Sequence, residues 1–351
     1  MTKKTPSTRD HHVPRMYLRR FARKKGNGWQ TVVAEVDHLS ARFPAEVKNV
    51  AVERGFYWGS DSDDVPHHEM EKLLDKIEAA GARAFRHILD AGKLPTDNAL
   101  PSLPLSKDVR LDASWWVAAQ ILRTTRQRIR LDIGSHSSVD VPRDFRSANR
   151  HIAHILELLR PLAEIVHNRP WGIGFSDYCL LTGDVPAVIL NAQDADDQLL
   201  AAEYWDLYLP LDPHRCLFLP GVHTRRLQNH WSDRSLKLHS GIAMGLNNAV
   251  ADVAVKHVFF HPNHDPTSWL KTRNRRAIDE EIASDSLPKY LVGYDMIESG
   301  CGVERRWLDQ HPTPDGKLHT PKLSDSEVLQ TVEFMSDQLD RATRIFRAVS
   351  E

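Results

Sequence analysis

In the first half of this 351-residue chain, hydrophobic positions recur with a helical period, broken by short β-branched runs. Val13, Tyr17, Leu18 and Phe21 line one side of residues 14–23, which predicts a short amphipathic helix ended by Gly26-Asn27-Gly28. Pro14 suits its first turn, where the missing N–H costs nothing. The clearest helical pattern runs over 67–92: Leu74, Ile77, Gly81, Ala84, Phe85 and Ile88 share one face, and Gly92 and Pro95 close it. Ser106 is a candidate N-cap for a helix to about Leu131, with Leu111, Trp115, Ala118, Leu122 and Ile129 on its apolar face. A third long helix over about 145–168 carries Ile152, Ile155, Leu156, Leu159 and Leu162.

The β signals are shorter. "WQTVVAEVD" (29–37) reads as a strand, and "VAVERGFYWG" holds room for a second. From Trp171 to Pro220 the texture changes to the runs "YCLLTG", "PAVIL", "YWDLYLP" and "CLFLPG". Within it, "LPLDPHRCLFL" predicts strand, turn, strand, with Asp212-Pro213 turning. Residues 239–260 return to helix. Residues 262–323 are polar and Pro-rich with a helix near 274–285, and Ser324 begins a terminal helix to about Arg347. The strands cluster rather than alternate with helices. The expected fold is therefore α+β, mainly helical with a small antiparallel β segment, in one compact domain.

Composition is that of an ordinary globular chain, with 41% hydrophobic and 26% charged residues. The formal net charge of −1 excludes whole-chain attraction to nucleic acid or membrane, so any such contact needs a local patch. Cys179, Cys216 and Cys301 are far apart and odd in number, which points to a reducing compartment and to no zinc-type cysteine pairing. No apolar run follows the basic start "MTKKTPSTRD", and none approaches the roughly 18 residues of a membrane span. A cytoplasmic protein is expected. Walker A, G-x-G-x-x-G, G-x-S-x-G and C-x-x-C patterns are absent, which argues against the commonest nucleotide, dinucleotide, lipase-type and zinc-ribbon machines.

Candidate chemistry gathers in a few places. The opening stretch "HHVPRMYLRRFARKK" holds His11, His12 and the cations Arg15, Arg19, Arg20, Arg23, Lys24 and Lys25. Arginines on one helix face beside Tyr17 can hold phosphates through forked N–H donors; the plain alternative is a solvated basic face. Glu71, Asp75 and Glu78 lie on one side of the 67–92 helix, with Glu78 at the apolar margin, where partial desolvation suits a general base. His67 and Glu71 do not form the H-E-x-x-H zinc pattern and read as helix-start residues. Arg123, Arg126 and Arg130 share a face, with Arg126 nearest the apolar side, placed for a buried carboxylate or a substrate phosphate. Asp184 in "TGDVPAVIL" stands at a strand–turn junction, as a reacting group, a metal ligand or an Asx-type cap. Asn247 and Asn248 need partners within an apolar helix, one of them in a polar pocket; His151 and His154 offer only two metal ligands.

"HHVPRMYLRRF" resembles the N-terminal signature of a bacterial family, domain of unknown function 4238, through His11, Val13, Pro14, Tyr17, Leu18 and Phe21. "VERGFYW", the acidic helix with Glu71 and Glu78, "TGDVPAV" and "LPLDP" look like later blocks of the family in the same order, giving a family-like core over 10–260 and a C-terminal extension over 261–351. Where that pattern has Thr-Ser-Asp, this chain has Thr182-Gly183-Asp184. The resemblance picks His11 over His12 and joins His11, Glu78 and Asp184 as polar positions of one site. It implies no established reaction.

Two function classes follow. The first is a nuclease-like phosphodiester hydrolase. His11, Glu78 and Asp184 are its catalytic residues, the two carboxylates orienting the histidine or holding a divalent metal ion. Arg15, Tyr17, Arg19, Arg20, Arg126 and Asn248 bind its substrate. The second is a non-catalytic module that binds nucleic acid or a protein through the basic opening helix. Oligomeric state is open.

Overall fold

A computed structural model of the chain describes residues 9–60, 66–90, 103, 105–129, 147–190, 202, 205–221, 224–225 and 232–272. Its strands are β1 (Arg9–His11), β2 (Arg23–Lys25), β3 (Gly28–Glu35), β4 (His38–Glu46), β5 (Val52–Arg54), β6 (Gly59–Ser60), β7 (Pro66–His67), β8 (Gly172–Ser176), β9 (Thr182–Gly183), β10 (Val188–Ile189), β11 (Leu207–Asp212), β12 (Arg215–Leu219), β13 (Arg234–Leu238) and β14 (His257–Phe260). The α-helices are α1 (Arg15–Leu18), α2 (Glu69–Phe85), α3 (Lys107–Leu122), α4 (Ser147–His167) and α5 (Ser240–Val253). The helices expected near 274–285 and from Ser324 fall outside the described residues.

This corrects the expected fold class. The β part is not a small segment but two five-stranded sheets with two short ribbons, in a mixed α+β fold. One sheet runs β10-β11-β12-β8-β13; the other runs β2-β3-β14-β9, with β4 also on β3. Nor is the β structure purely antiparallel, because β13 joins β8 in parallel. Two of the missed strands escape for different reasons. β4, "HLSARFPAE", is mostly exposed, so it lacks the apolar alternation that marks a strand, and Pro44 is tolerated because β4 lies at an edge. β14, "HVFF", is a short apolar run directly after α5, and periodicity cannot separate such a run from more helix.

The helical expectations fare better. α1 and a 3-10 turn (Arg19–Phe21) cover residues 15–21 of the opening helix expected over 14–23, which stops early because β2 begins at Arg23; Val13, Tyr17, Leu18 and Phe21 are all buried. Ser106 caps α3, its hydroxyl accepting from the Val109 N–H. α2 passes into a π-helical turn (Arg86–Asp90) and packs on α3 at Gly81, where a Cβ would come within 2.4 Å of the Trp116 side chain. Glycine is needed there because the two helices touch backbone to indole.

Tyr17 fastens α1 to both sheets. Its hydroxyl donates to the Pro210 carbonyl of β11 (2.6 Å) and lies 2.8 Å from the Thr182 hydroxyl of β9. One apolar cluster runs from Val13 through Trp116 to Phe259, and a second wraps α5 and β14.

Candidate functional site

Strand β1 pairs antiparallel with β5, Asp10 opposite Glu53. Strand alternation turns Asp10 and His12 inward, while Arg9 is exposed and His11 half-buried. The Asp10 Oδ2 accepts the Tyr57 backbone N–H at 3.1 Å. Its Oδ1 is buried with no ordinary donor. Glu71, near the start of α2, hydrogen-bonds the Asp10 carboxyl group. Burial, then a hydrogen bond to Asp10, then the Asp10 and Asp75 charges push the Glu71 carboxyl up to about 8, against the pull of Arg123. Two carboxyl groups in contact cannot both ionise, so the pair holds one proton at neutral pH.

Arg123 organises the rest. It follows the last turn of α3, buried, and spends its guanidinium on three elements. Nη1 donates to Glu78 Oε1 (2.7 Å), Nε to the Tyr57 hydroxyl (3.0 Å) and Nη2 to the His11 carbonyl (2.5 Å). The Tyr57 hydroxyl in turn donates to the Arg123 carbonyl at 3.1 Å. Burial opposes the Arg123 charge, but Tyr57 and Glu78 outweigh it and its pKa rises. Burial pushes Tyr57 up to about 12. Thus α2, α3, β1 and the β5–β6 turn meet at one guanidinium.

Neutral histidines surround this knot. Burial, then the charges of Arg15, Arg123 and Arg9, lower His11 to about 4, against a backbone bond with Val50. Burial takes His12 to about 3; its ring packs 5.6 Å from Phe56. His151 bonds the Leu122 carbonyl at 2.9 Å and is lowered to about 3, and His154 to about 4, both by burial.

Asp184 belongs to a different arrangement. Its Oδ1 accepts the N–H of Val255 (2.8 Å) and its Oδ2 those of Lys256 (2.7 Å) and His257 (2.9 Å). Arg126 Nη1 donates to the Val253 carbonyl at 3.1 Å. Both therefore serve the link where α5 hands over to β14: a cation on the last helical carbonyl, an anion on the N–H groups that follow. His257 connects the two regions, because its charge is felt at Asp184 and at His12.

The remaining sequence candidates divide plainly. Tyr17 is buried and its hydroxyl is used inside the core, so it has no face to offer a substrate. Asn248 bonds the Met244 and Trp269 carbonyls and the Lys271 N–H, docking 269–271 on α5. Asn247 holds Cys179 and Leu181 in the same way. Arg20 forms a two-pronged pair with Asp90, both contacts 3.0 Å. Arg15 and Arg19 face solvent. Arg130 lies outside the described residues.

The structure thus gathers His11 and Glu78 around Arg123, with Arg15 near enough to depress His11, and sets Asp184 and Arg126 apart. It adds Asp10, Tyr57, Glu71 and Arg123, none of which the sequence reading ranked. A regular helix to Leu131 puts Arg126 nearest the core; α3 ends at Leu122 and both arginines are buried, but it is Arg123 that reaches Glu78, Tyr57 and His11. Asp10 stood beside His11 in plain view, with no signal that β1 would face it to Glu71.

A cavity of about 410 Å³ opens beside Lys107, Arg110, Arg169, Arg225 and Asp233. Lys107 and Arg110 lie at the far end of α3, about 20 Å from Arg123 at 1.5 Å per residue. The cations there are engaged: Arg110 pairs with Asp233, and Arg169 donates to the Trp205 and Ala202 carbonyls.

Residues 9–169 match the family model described as Protein of unknown function (DUF4238). The matched segment runs from β1 to α4. The match bears out the resemblance carried by His11, Val13, Pro14, Tyr17, Leu18 and Phe21, and it contains every residue of the Arg123 cluster. The "TGDVPAV" and "LPLDP" blocks lie beyond it. No curated protein and no solved structure matches the chain. Among the described residues, no helix is long and apolar enough to cross a membrane.

Proposed function

We propose that the DUF4238 portion is an acid–base hydrolase acting on an anionic ester, with phosphodiesters the reaction class to test first. One observation carries the reading: Glu71 is a half-exposed acid beside the buried Asp10, and its own burial, then its hydrogen bond to Asp10, push its carboxyl up to about 8. A carboxylic acid held neutral at working pH is what protonating a leaving oxygen requires.

In this reading Glu71 is the general acid and Asp10 the positioning residue that keeps it protonated. His11 is neutral at pH 7 and half-buried, so it serves as the base that takes a proton from the attacking water. Arg9 and Arg15, exposed and close enough to lower His11, supply positive charge for the anion. Glu78, Tyr57 and Arg123 fix β1 against α2 and α3 and touch no substrate. Asp184, Arg126 and Asn248 hold the scaffold behind it. Among the described residues, the grouped metal-ligand atoms lie away from this cluster.

The test is hydrolysis of bis(p-nitrophenyl) phosphate and of single-stranded RNA and DNA by the purified full chain. Glu71→Gln and His11→Ala should each lower kcat by about 100-fold or more with the fold kept. The rate should hold from about pH 4 to about pH 8 and fall on either side. Asp10→Asn should move the upper limb to lower pH. Turnover that survives both Glu71→Gln and His11→Ala removes the assignment.

A second reading has support from the number of polar side chains spent internally: a binding module whose exposed Arg15, Arg19, Arg23, Lys24 and Lys25 hold a nucleic acid or an acidic protein. Salt-sensitive binding with no turnover separates it from the first.

A further inference from the structure

Three loops converge at one end of the two large sheets. Cys179 lies between β8 and β9, His214 in the turn joining β11 to β12, and His264 just after β14. The Cys179 sulfur and one ring nitrogen of each histidine all lie within 4.8 Å of one another. These residues are 35 and 50 positions apart in sequence, so no spacing motif announces them.

We propose that Cys179, His214 and His264 form a binding site for a zinc-class divalent cation, which staples the two five-stranded sheets together. The donor set is one thiolate and two imidazoles, which favours a borderline-soft ion over Mg2+ or Ca2+. Tetrahedral zinc, with bonds of about 2.3 Å to sulfur and about 2.0–2.1 Å to nitrogen, needs its ligands roughly 3.3–3.6 Å apart. The observed spacing is within 4.8 Å, and His264, which is exposed, is the ligand able to turn inward.

The framework behind the ligands is built in advance. His214 Nδ1 bonds the Ser176 carbonyl at 3.0 Å, which leaves Nε2 as the ligating atom, the outer support that metal-binding imidazoles use. The turn carrying His214 is fixed by Asp212, whose Oδ1 accepts the His214 and Arg215 N–H groups, both at 2.8 Å. The Cys179 carbonyl accepts from Asn247 Nδ2 at 2.8 Å, and the Leu180 N–H donates to the Pro213 carbonyl at 2.7 Å. His264 is placed by its own N–H on the His261 carbonyl (3.0 Å), and its ring stands 5.4 Å from that of His214. The ligand loops belong to different sheets, since β8, β11 and β12 are in one and β9 and β14 in the other.

The experiment uses the full chain, stripped with chelator and titrated with Zn2+, Co2+ and Mg2+. Zinc should bind at one equivalent and raise the melting temperature, and Mg2+ should do neither. Co2+ should give a near-ultraviolet thiolate-to-cobalt charge-transfer band. Cys179→Ser should remove the band. His214→Asn and His264→Asn should each weaken Zn2+ binding by more than about tenfold, at least the cost of losing an outer support. His264 is exposed and its substitution leaves the core intact, so its variant reads binding without a folding defect. A chain that binds no Zn2+, a band that survives Cys179→Ser, or zinc affinity unchanged in His264→Asn overturns the site.

Discussion

Two buried carboxylates in this chain are satisfied in opposite ways. Asp184 is held by three backbone N–H groups and has no ionisable side chain bonded to it. Asp10 is held by one backbone N–H and by Glu71, a second acid. The first arrangement is structural: it ends one element and begins another, and the three N–H groups pull the Asp184 carboxyl back against the upward push of burial, which is the larger. The second works only while a proton remains between two oxygens. Asp184 looked the more pointed residue in the sequence, yet the arrangement suited to proton transfer is at Asp10 and Glu71.

The sharpest way to break that contrast is to remove each acid. Asp184→Ala strands three N–H groups in a buried link and should cost about 3–5 kcal/mol of unfolding free energy by urea titration. Asp10→Asn keeps an acceptor for the Tyr57 N–H and a donor toward Glu71, and should cost about 1 kcal/mol. Equal costs would erase the distinction between a structural and a chemical carboxylate. Arg123→Met falls between, at about 3 kcal/mol, because it leaves the Tyr57 hydroxyl and the His11 carbonyl short of a partner. Glu78 softens that loss: its side chain is 23% exposed against 3% for Arg123, so it can turn to water.

The pH dependence of stability sharpens the comparison further. His12 and His151 titrate near 3 and His11 and His154 near 4, all lowered from 6.5 by burial. Between those values and 6.5 the unfolded chain binds more protons, so stability should rise with pH up to about 6.5. Glu71 acts with the opposite sign. Its pKa is raised from 4.5 to about 8 by burial and by Asp10, so the folded chain holds the extra proton, and stability drains away as pH rises through that window. Four histidines outweigh one glutamate below 6.5, which places the maximum near pH 6.5 with a decline toward 8. Glu71→Gln should flatten the decline and steepen the rise between about pH 4.5 and 6.5, where the histidines then act unopposed by Glu71. A decline that persists in Glu71→Gln would put the proton somewhere other than on the Asp10 pair.

What the sequence made legible follows the same division. α1, α2, α3 and α4 announced themselves through 3.6-residue periodicity, and Ser106 through its capping chemistry, because both signals are local. β4 and β14 were illegible because one is an exposed edge and the other a four-residue run after a helix. In the site, His11 and Glu78 were visible as polar residues beside apolar faces. Asp10 facing Glu71 was not, since that contact joins elements some 60 residues apart and depends on which way a three-residue strand turns its side chains. Arg123 and Arg126 were inseparable for the same reason: both are buried, and only their partners on distant elements tell them apart.

The smallest effect on stability is expected at the exposed cations. Arg15→Ala and Arg19→Ala should each change unfolding free energy by no more than about 0.5 kcal/mol, because both side chains face solvent. Their effects on function should differ. Arg15 is one of the charges that depresses His11, so its loss should raise the His11 pKa and move the acid limb of the rate profile upward, whereas Arg19→Ala should leave that limb in place. On an anionic substrate Arg15→Ala should also raise KM and reduce the sensitivity of kcat/KM to salt. If Arg15→Ala and Arg19→Ala change the pH profile equally, the basic helix acts as a diffuse field, and the direct link between Arg15 and His11 is lost from the proposal.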